Sequence, residues 1–370
     1  MPLPRTLASL DDGVATGLHL GGQIHLRQQD RTIADVGFGE VRPGEAMTPE
    51  HLVPWLSASK PITAVAIAQL WERNLLDLDD PVARHIPEFA SGGKDAVTVR
   101  HLLTHTGGIR ALNLGWPKAS WEAVLAKVCT MKLEPGWVPG RKAGYHLSSS
   151  WFVLGEIIQR VSGQPFSDYI RDRIFRPLAM DDCWIGMPGG RYDEYGDRLA
   201  PAYDTETPRE PGEAPKPHPW TDAAHATGCS PGANGIGPMR QLANFYSMLL
   251  GGGTLNGRRL LSPQTVETMT ARQRVGLWDH TFRHHLDWGL GFIVNSAHHA
   301  EETSPYGYGA GASNRSFGHS GYRSVVAFAD PEERLVVCLA VNGTPADDLH
   351  RERFNQATGA IYEDLEVPEA

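Results

Sequence analysis

Residues 55–70, WLSASKPITAVAIAQL, decide how this chain is read. Ser57 and Lys60 stand three residues apart at the head of an apolar run. On a helix such a pair shares one face, so the Lys60 amine can reach the Ser57 hydroxyl at the helix start. A serine hydroxyl is a weak nucleophile until a base activates it, and an amine enclosed by apolar walls loses its proton more readily. Ile62, Ala64, Val65, Ala66, Ile67, Ala68 and Leu70 supply such walls on most sides, which predicts a buried helix rather than a surface one. Free N–H groups at the helix start, with their partial positive charge, suit an oxyanion formed beside Ser57. The same four residues would also be written by an N-cap serine followed by a surface lysine, so the reading needs companions elsewhere in the chain.

Two stretches provide them. Gly144-Tyr145-His146-Leu147 precedes a helical pattern at 150–163, SWFVLGEIIQRVSG, and Phe317-Gly318-His319-Ser320-Gly321-Tyr322 precedes an expected strand at 323–329. Together with SASK they resemble the serine β-lactamase and penicillin-binding-protein superfamily, whose SxxK, second polar motif and KTG-type strand motif converge on one site. The likeness is to the class C branch, and HSG has the HxG form often carried by its esterase (family VIII) and transacylase relatives. Residues 76–89 (LDLDDPVARHIPEF), 99–109 (VRHLLTHTGGI) and 154–163 (LGEIIQRVSG) match as well, so the resemblance runs from about Leu18 to the C-terminal hairpin.

The resemblance implies an α+β fold, an α/β sandwich. One antiparallel sheet flanked by helices would be built from both chain ends, 1–56 plus 254–370. A mainly helical domain, 57–253, would be inserted between them, with the site in the groove. It implies Ser57 as the nucleophile that becomes acylated, Lys60 as the group that deprotonates it, and Tyr145 as partner base and proton shuttle. A phenol titrates near pH 10 in its free form, so Tyr145 would rely on nearby cations such as Lys60 or His319. The N–H groups of Ser57 and Tyr322 would form the oxyanion hole, while His146, Leu147, His319, Ser320 and Gly321 would line the substrate.

Two departures narrow the substrate. Lactam-binding relatives usually read Tyr-x-Asn in the second motif, and Leu147 removes that amide. The charged KTG lysine is replaced by His319, which can be neutral near pH 7. Both point to an ester or thioester with an apolar or neutral acyl part. The expected activity is that of a serine acyl hydrolase or acyltransferase, with water, an amine or an alcohol as acceptor. The alternatives are a β-lactamase or D-amino-acid peptidase, or a non-catalytic relative that binds a ligand in the same cleft. A pure binding protein has no need of Ser57, Lys60 and Tyr145 together.

Composition agrees with a soluble enzyme: 370 residues, 41% hydrophobic and 21% charged. A net charge of −9 without a basic block makes nucleic acid and anionic membranes unexpected partners; a small acyl donor and its acceptor are the partners expected. The first twenty residues show no charged-then-apolar export pattern and no run has the length of a membrane span, so a cytoplasmic location is expected. Cys129, Cys183, Cys229 and Cys338 are widely spaced and read as buried free thiols. His280, His284, His285, His298 and His299 crowd around Trp288, but without an HxH or HExxH spacing they read as surface or loop residues. No metal or cofactor is expected, and His105 reads as structural.

Alternation predicts an N-terminal hairpin from 18–28 and 32–39, strands at 324–329 and 335–341, and a helix at 346–365. Residues 204–220, with five prolines, read as a surface loop rather than a flap over the substrate. The loop 303–313, just before HSG, is expected to shape the pocket.

Overall fold

The computed structural model describes residues 3–110, 113–208, 213–299 and 307–366. Its centre is an eight-stranded antiparallel sheet. The strands are β1 (Gly21–Gln28), β2 (Arg31–Arg42), β3 (Glu45–Ala46), β4 (Asp287–Trp288), β5 (Ile293–Val294), β6 (Phe317–Gly321), β7 (Val325–Asp330) and β8 (Leu335–Val341). In space they run β4-β5-β6-β7-β8-β1-β2-β3. The two chain ends therefore meet at the β8–β1 seam, where Gly22 faces Val341 and Gln28 faces Leu335. Strand β2 extends past the expected residue 39 because it goes on to pair with β3.

Period-two patterning explains why both faces of the sheet are covered. Val326, Phe328, Val337 and Leu339 point toward the helices α1 (Pro4–Ala15) and α5 (Asp347–Leu365), where they pack with Leu10, Phe354 and Ile361. Val325, Ala327, Ala329, Val336, Cys338 and Ala340 point the other way, into the large core shared with α2 (Lys60–Glu72), α3 (Ser149–Ser162) and α4 (Met239–Leu250). All residues of α2 from Lys60 to Leu70 are buried, as its all-round apolar sequence requires.

A small sheet, Val53–Leu56 with Gly235–Gly237 and Trp184–Ile185, connects the helical part to the chain entering Ser57. All four cysteines are free; Cys129, Cys183 and Cys338 are buried and Cys229 is partly so. Among the described residues no helix is long and apolar enough to cross a membrane.

One local expectation is extended and two change. HSG precedes a strand, β7, as expected, and is itself a strand, because β6 is paired on both sides, with β5 and with β7. The proline-rich segment ends on the active-site rim: the Trp220 ring stacks on His218 at 4.1 Å and meets the Tyr322 ring edge-on at 6.0 Å. Of the loop expected to shape the pocket, 303–306 lie outside the described residues, and the remainder turns to the opposite face. Tyr308 stacks on Phe328, and the Gly309 and Gly311 backbones lie against Thr358 and Tyr362 of α5.

Candidate active site

Ser57 opens a single 3-10 turn, Ser57–Ser59, that runs directly into α2 at Lys60. The residue before it, Leu56, is held at φ 51°, a conformation that costs a non-glycine residue energy and is maintained only by its surroundings. The surroundings are visible: Ser59 Oγ donates to the Leu56 carbonyl at 2.6 Å and accepts from Gly235 N–H at 2.8 Å, and Trp55 Nε1–H donates to the Gly237 carbonyl at 2.9 Å. The turn that presents Ser57 is thus fixed by the 235–237 strand.

Lys60 is fully buried. Its Nζ lies 3.0 Å from Ser57 Oγ and 2.7 Å from the Gly232 carbonyl, and it sits over the rings of Tyr145 (5.1 Å) and Trp151 (5.5 Å). Among the described residues no carboxylate is paired with it, and burial holds its pKa well below the ordinary lysine value. A neutral amine at that distance can accept the Oγ proton, which a charged one cannot.

Tyr145 is set by a clamp that sequence reasoning missed. Asp279 Oδ1 accepts the N–H groups of Tyr145 (3.0 Å), Thr281 (2.9 Å) and Phe282 (3.0 Å), while Oδ2 takes a hydrogen bond from buried Arg274 at 3.1 Å. From the other side, the His105 carbonyl accepts Gly144 N–H at 3.0 Å and His105 Nδ1 accepts His146 N–H at 2.9 Å. The His105 ring lies 4.6 Å from that of Tyr145 and its backbone is left-handed, φ 57°. His105 is therefore structural as expected, but what it structures is the Tyr145 loop. The available signal was the LLTHTGG stretch itself; Asp279 left none.

His146 is not a substrate residue. Tyr145 and Leu147 line the cavity, while His146 between them is fully buried, its Nε2 accepting Ile109 N–H at 3.0 Å. Burial lowers its pKa to about 3, so it is neutral.

The opposite wall is β6. Gly321 fits there because a Cβ would stand 2.3 Å from the Trp55 carbonyl oxygen; only a glycine lets this strand lie against the chain entering Ser57. His319 is buried, with Nδ1 2.7 Å from the Ser320 carbonyl. A carbonyl only accepts, so Nδ1 carries the proton and Nε2 presents a lone pair. Desolvation and the neighbouring Lys60 lower its pKa to about 3. His319 is thus a neutral acceptor where the resemblance places a cation.

These residues surround one cavity of about 260 Å³, lined by Ser57, Tyr145, Leu147, His319, Ser320, Gly321 and Tyr322. Sequence reasoning omitted the rest of its lining: Thr281, Phe282 and Ile293 on one side, and Arg323, Asp347, His350 and Arg351 at the start of α5. A wider surface depression of about 760 Å³, bounded by Arg42, Tyr192, Tyr203 and His218, contains none of Ser57, Lys60 and Tyr145; the chemistry belongs to the smaller cavity.

Comparison with known proteins bears on the family and the fold. A family model described as Beta-lactamase matches residues 8–360. The esterase/beta-lactamase LipL of Mycobacterium tuberculosis is 27% identical over 368 residues, covering 91% of this chain and 80% of the relative. A penicillin-binding-protein homologue from Caulobacter crescentus is 29% identical and superposes with a TM-score of 0.80 over 98% of this chain and 97% of the other. EstCE1, a hydrolase with promiscuous acyltransferase activity, shares the fold at a TM-score of 0.79 and 22% identity, with 97% of both chains covered.

Proposed function

The chain belongs to the β-lactamase family of serine hydrolases, and from that premise we propose that it is an esterase acting on neutral esters or thioesters through an acyl-Ser57 intermediate. The observation that carries this reading is the Ser57–Lys60 contact, 3.0 Å between Oγ and a fully buried amine. Lys60 accepts the Oγ proton as Oγ bonds to the acyl carbon. The resulting oxyanion is met by the N–H groups of Ser57 and Tyr322. Collapse expels the alkoxide or thiolate, which receives a proton through Tyr145, and the acyl ester remains on Ser57. Deacylation repeats the sequence with water, or with an amine or alcohol that reaches the site first.

Substrate preference follows from the two replaced positions. Leu147, 39% exposed and facing the cavity, offers no hydrogen bond to an amide side chain. Neutral His319 supplies no positive charge where the KTG lysine of lactam-binding relatives would meet a carboxylate. An ester without a charge beside its carbonyl needs neither group.

Intact-mass spectrometry after incubation with a fluorophosphonate or a short-chain p-nitrophenyl ester tests the intermediate. One adduct should map to Ser57, and Ser57→Ala should abolish both adduct and turnover. An adduct on another residue, or turnover retained by Ser57→Ala, overturns the assignment. Product analysis with added amine or alcohol then separates hydrolysis from transfer.

A further inference from the structure

Outside the cavity, the described residues bring together one set of side chains whose donor atoms suit a metal. Asp287 opens a short strand with its carboxylate fully buried. Two consecutive histidines from the turn Ala297–His299 converge on it: His299 Nε2 lies 2.9 Å from Oδ1 and His298 Nε2 lies 3.3 Å from Oδ2, with the imidazole rings 3.9 Å apart. We propose that Asp287, His298 and His299 form a binding site for a divalent transition-metal ion, best suited to Zn²⁺.

Three arguments converge. The ligand chemistry is a pair of imidazoles with one carboxylate, the set that zinc takes while leaving a fourth position to water. The spacing fits too. In a tetrahedron with metal–nitrogen arms of about 2.0–2.1 Å, neighbouring ligand atoms stand roughly 3.3 Å apart. The histidine nitrogens stand 2.9 Å from Oδ1 and 3.3 Å from Oδ2, one on each carboxylate oxygen, and one ligand atom from each residue lies within 4.8 Å of the other two, within reach of a single ion. Both histidine side chains are partly exposed to solvent, 40% for His298 and 21% for His299, so an ion can reach them.

The third argument is the outer shell. Metal-binding carboxylates are themselves held by hydrogen bonds, and here Gly276 N–H donates to Oδ1 at 2.9 Å while Arg272 Nε donates to Oδ2 at 2.8 Å. Arg272 also donates to the carbonyls of Asn295 (2.9 Å) and Asn314 (2.7 Å), so the carboxylate's orientation is fixed before any ion arrives. The guanidinium lowers the attraction for a second cation, which makes this a site of moderate rather than extreme affinity. Ser296 Oγ accepts Asp287 N–H at 2.9 Å and completes the link between strand and turn.

A metal here would fasten the 296–299 turn to the sheet edge beside the active site. Trp288, next in sequence to Asp287, packs 5.9 Å from the Tyr145 ring and 5.7 Å from that of His319. The histidine tract is visible in the sequence but reads as surface or loop residues, because two adjacent histidines and an aspartate eleven residues earlier match no common motif.

The test uses tag-free, chelator-treated full-length protein and Zn²⁺ alone, followed by calorimetric titration and thermal melting near neutral pH. One equivalent should bind and raise the melting temperature by mass action. His298→Ala with His299→Ala should weaken binding by at least the ~10-fold that loss of an outer partner alone can cost, and Zn²⁺ should no longer raise the double variant's melting temperature above that of its own metal-free form. Co²⁺ should give the visible absorption of a tetrahedral centre in the parent and not in the double variant. No saturable binding, or equal binding by the double variant, overturns the proposal. Either result leaves the Ser57 reading untouched, since no ligand lines that cavity.

Discussion

Replacing Lys60 by Met keeps the length and shape of the buried stem and removes only the amine. Two energies change, and they oppose each other. The Gly232 carbonyl loses its 2.7 Å partner, which costs about 1–3 kcal/mol for a buried acceptor left unpaired. Against that, a fully buried amine with no carboxylate beside it is exchanged for an apolar group, which removes a desolvation cost of similar size. Stability near neutral pH should therefore change little, whereas catalysis should suffer. A positioned base contributes ~10²–10⁴ in rate, about 3–5 kcal/mol of transition-state stabilisation.

The pH dependence separates this account from a general loosening of the site. Burial depresses the Lys60 pKa in the folded protein, while the unfolded chain keeps the ordinary value of 10.5. Between those two values the unfolded chain binds the extra proton, so this residue makes stability rise with pH through the window and fall as pH drops toward the folded pKa. Single-turnover acylation should rise with pH and level off well below 10.5. Stopped-flow acylation with a p-nitrophenyl ester, and urea unfolding across pH, measure both. A Lys60→Met variant that acylates within ~10-fold of the parent, or that keeps the parent's pH slope in stability, refutes the assignment of Lys60 as base.

Other perturbations address the supporting geometry. Asp279→Asn leaves Arg274 as an unpaired buried charge and should cost about 3–5 kcal/mol in urea unfolding, with kcat falling more than KM changes as the Tyr145 loop loosens; an unchanged unfolding midpoint would contradict the clamp. Gly321→Ala drives a Cβ into the Trp55 carbonyl, and the shift of β6 should lower kcat by up to ~10²-fold while stability drops by only ~1–3 kcal/mol; normal kcat would mean that β6 does not set the oxyanion geometry. Leu147→Asn combined with His319→Lys should raise nitrocefin turnover by at least ~10-fold, since each contact is worth ~1–3 kcal/mol, and a flat response would place lactam discrimination elsewhere in the cavity.

What could be read from the sequence followed from local periodicity and from motifs. The buried α2, the hairpin β1–β2, the strands β7 and β8 and the residues Ser57, Lys60, Tyr145 and His319 belong to that class. Joining the two chain ends into one sheet did not, because the pairing of Gly22 with Val341 spans nearly the whole chain and neither strand records its partner. Asp279 and Gly232 act through single polar atoms that satisfy backbone groups or Lys60 across long sequence separations, so no pattern announces them. Glycine content proved a poor guide to pocket lining: the glycine-rich 307–313 segment packs on α5, whereas the proline-rich one delivers Trp220 to the rim. His146 was misassigned because motif adjacency says nothing about which side of the backbone a residue faces.

A common cause underlies the behaviour of the cavity. Lys60, His105, His146 and His319 are all basic, all buried around Ser57 and Tyr145, and all held by desolvation below their ordinary pKa values. Near neutral pH the three histidines of the floor are therefore neutral, burial favours the uncharged amine at Lys60, and the buried Arg274 is paired with Asp279. The guanidiniums on the lining stand at the mouth, and that of Arg323 is already paired with Glu206 and Asp347. Such a floor can accept a proton from Ser57 without first breaking an ion pair. It can meet an oxyanion that develops during reaction through backbone donors, which need no counter-charge in the ground state. What it lacks is a lysine for a carboxylate present in the substrate from the outset, because the neutral His319 stands in the third motif where the resemblance places one. The same burial that readies Lys60 as a base thus selects against anionic acyl donors, and a single electrostatic property ties the proposed mechanism to the proposed substrate class.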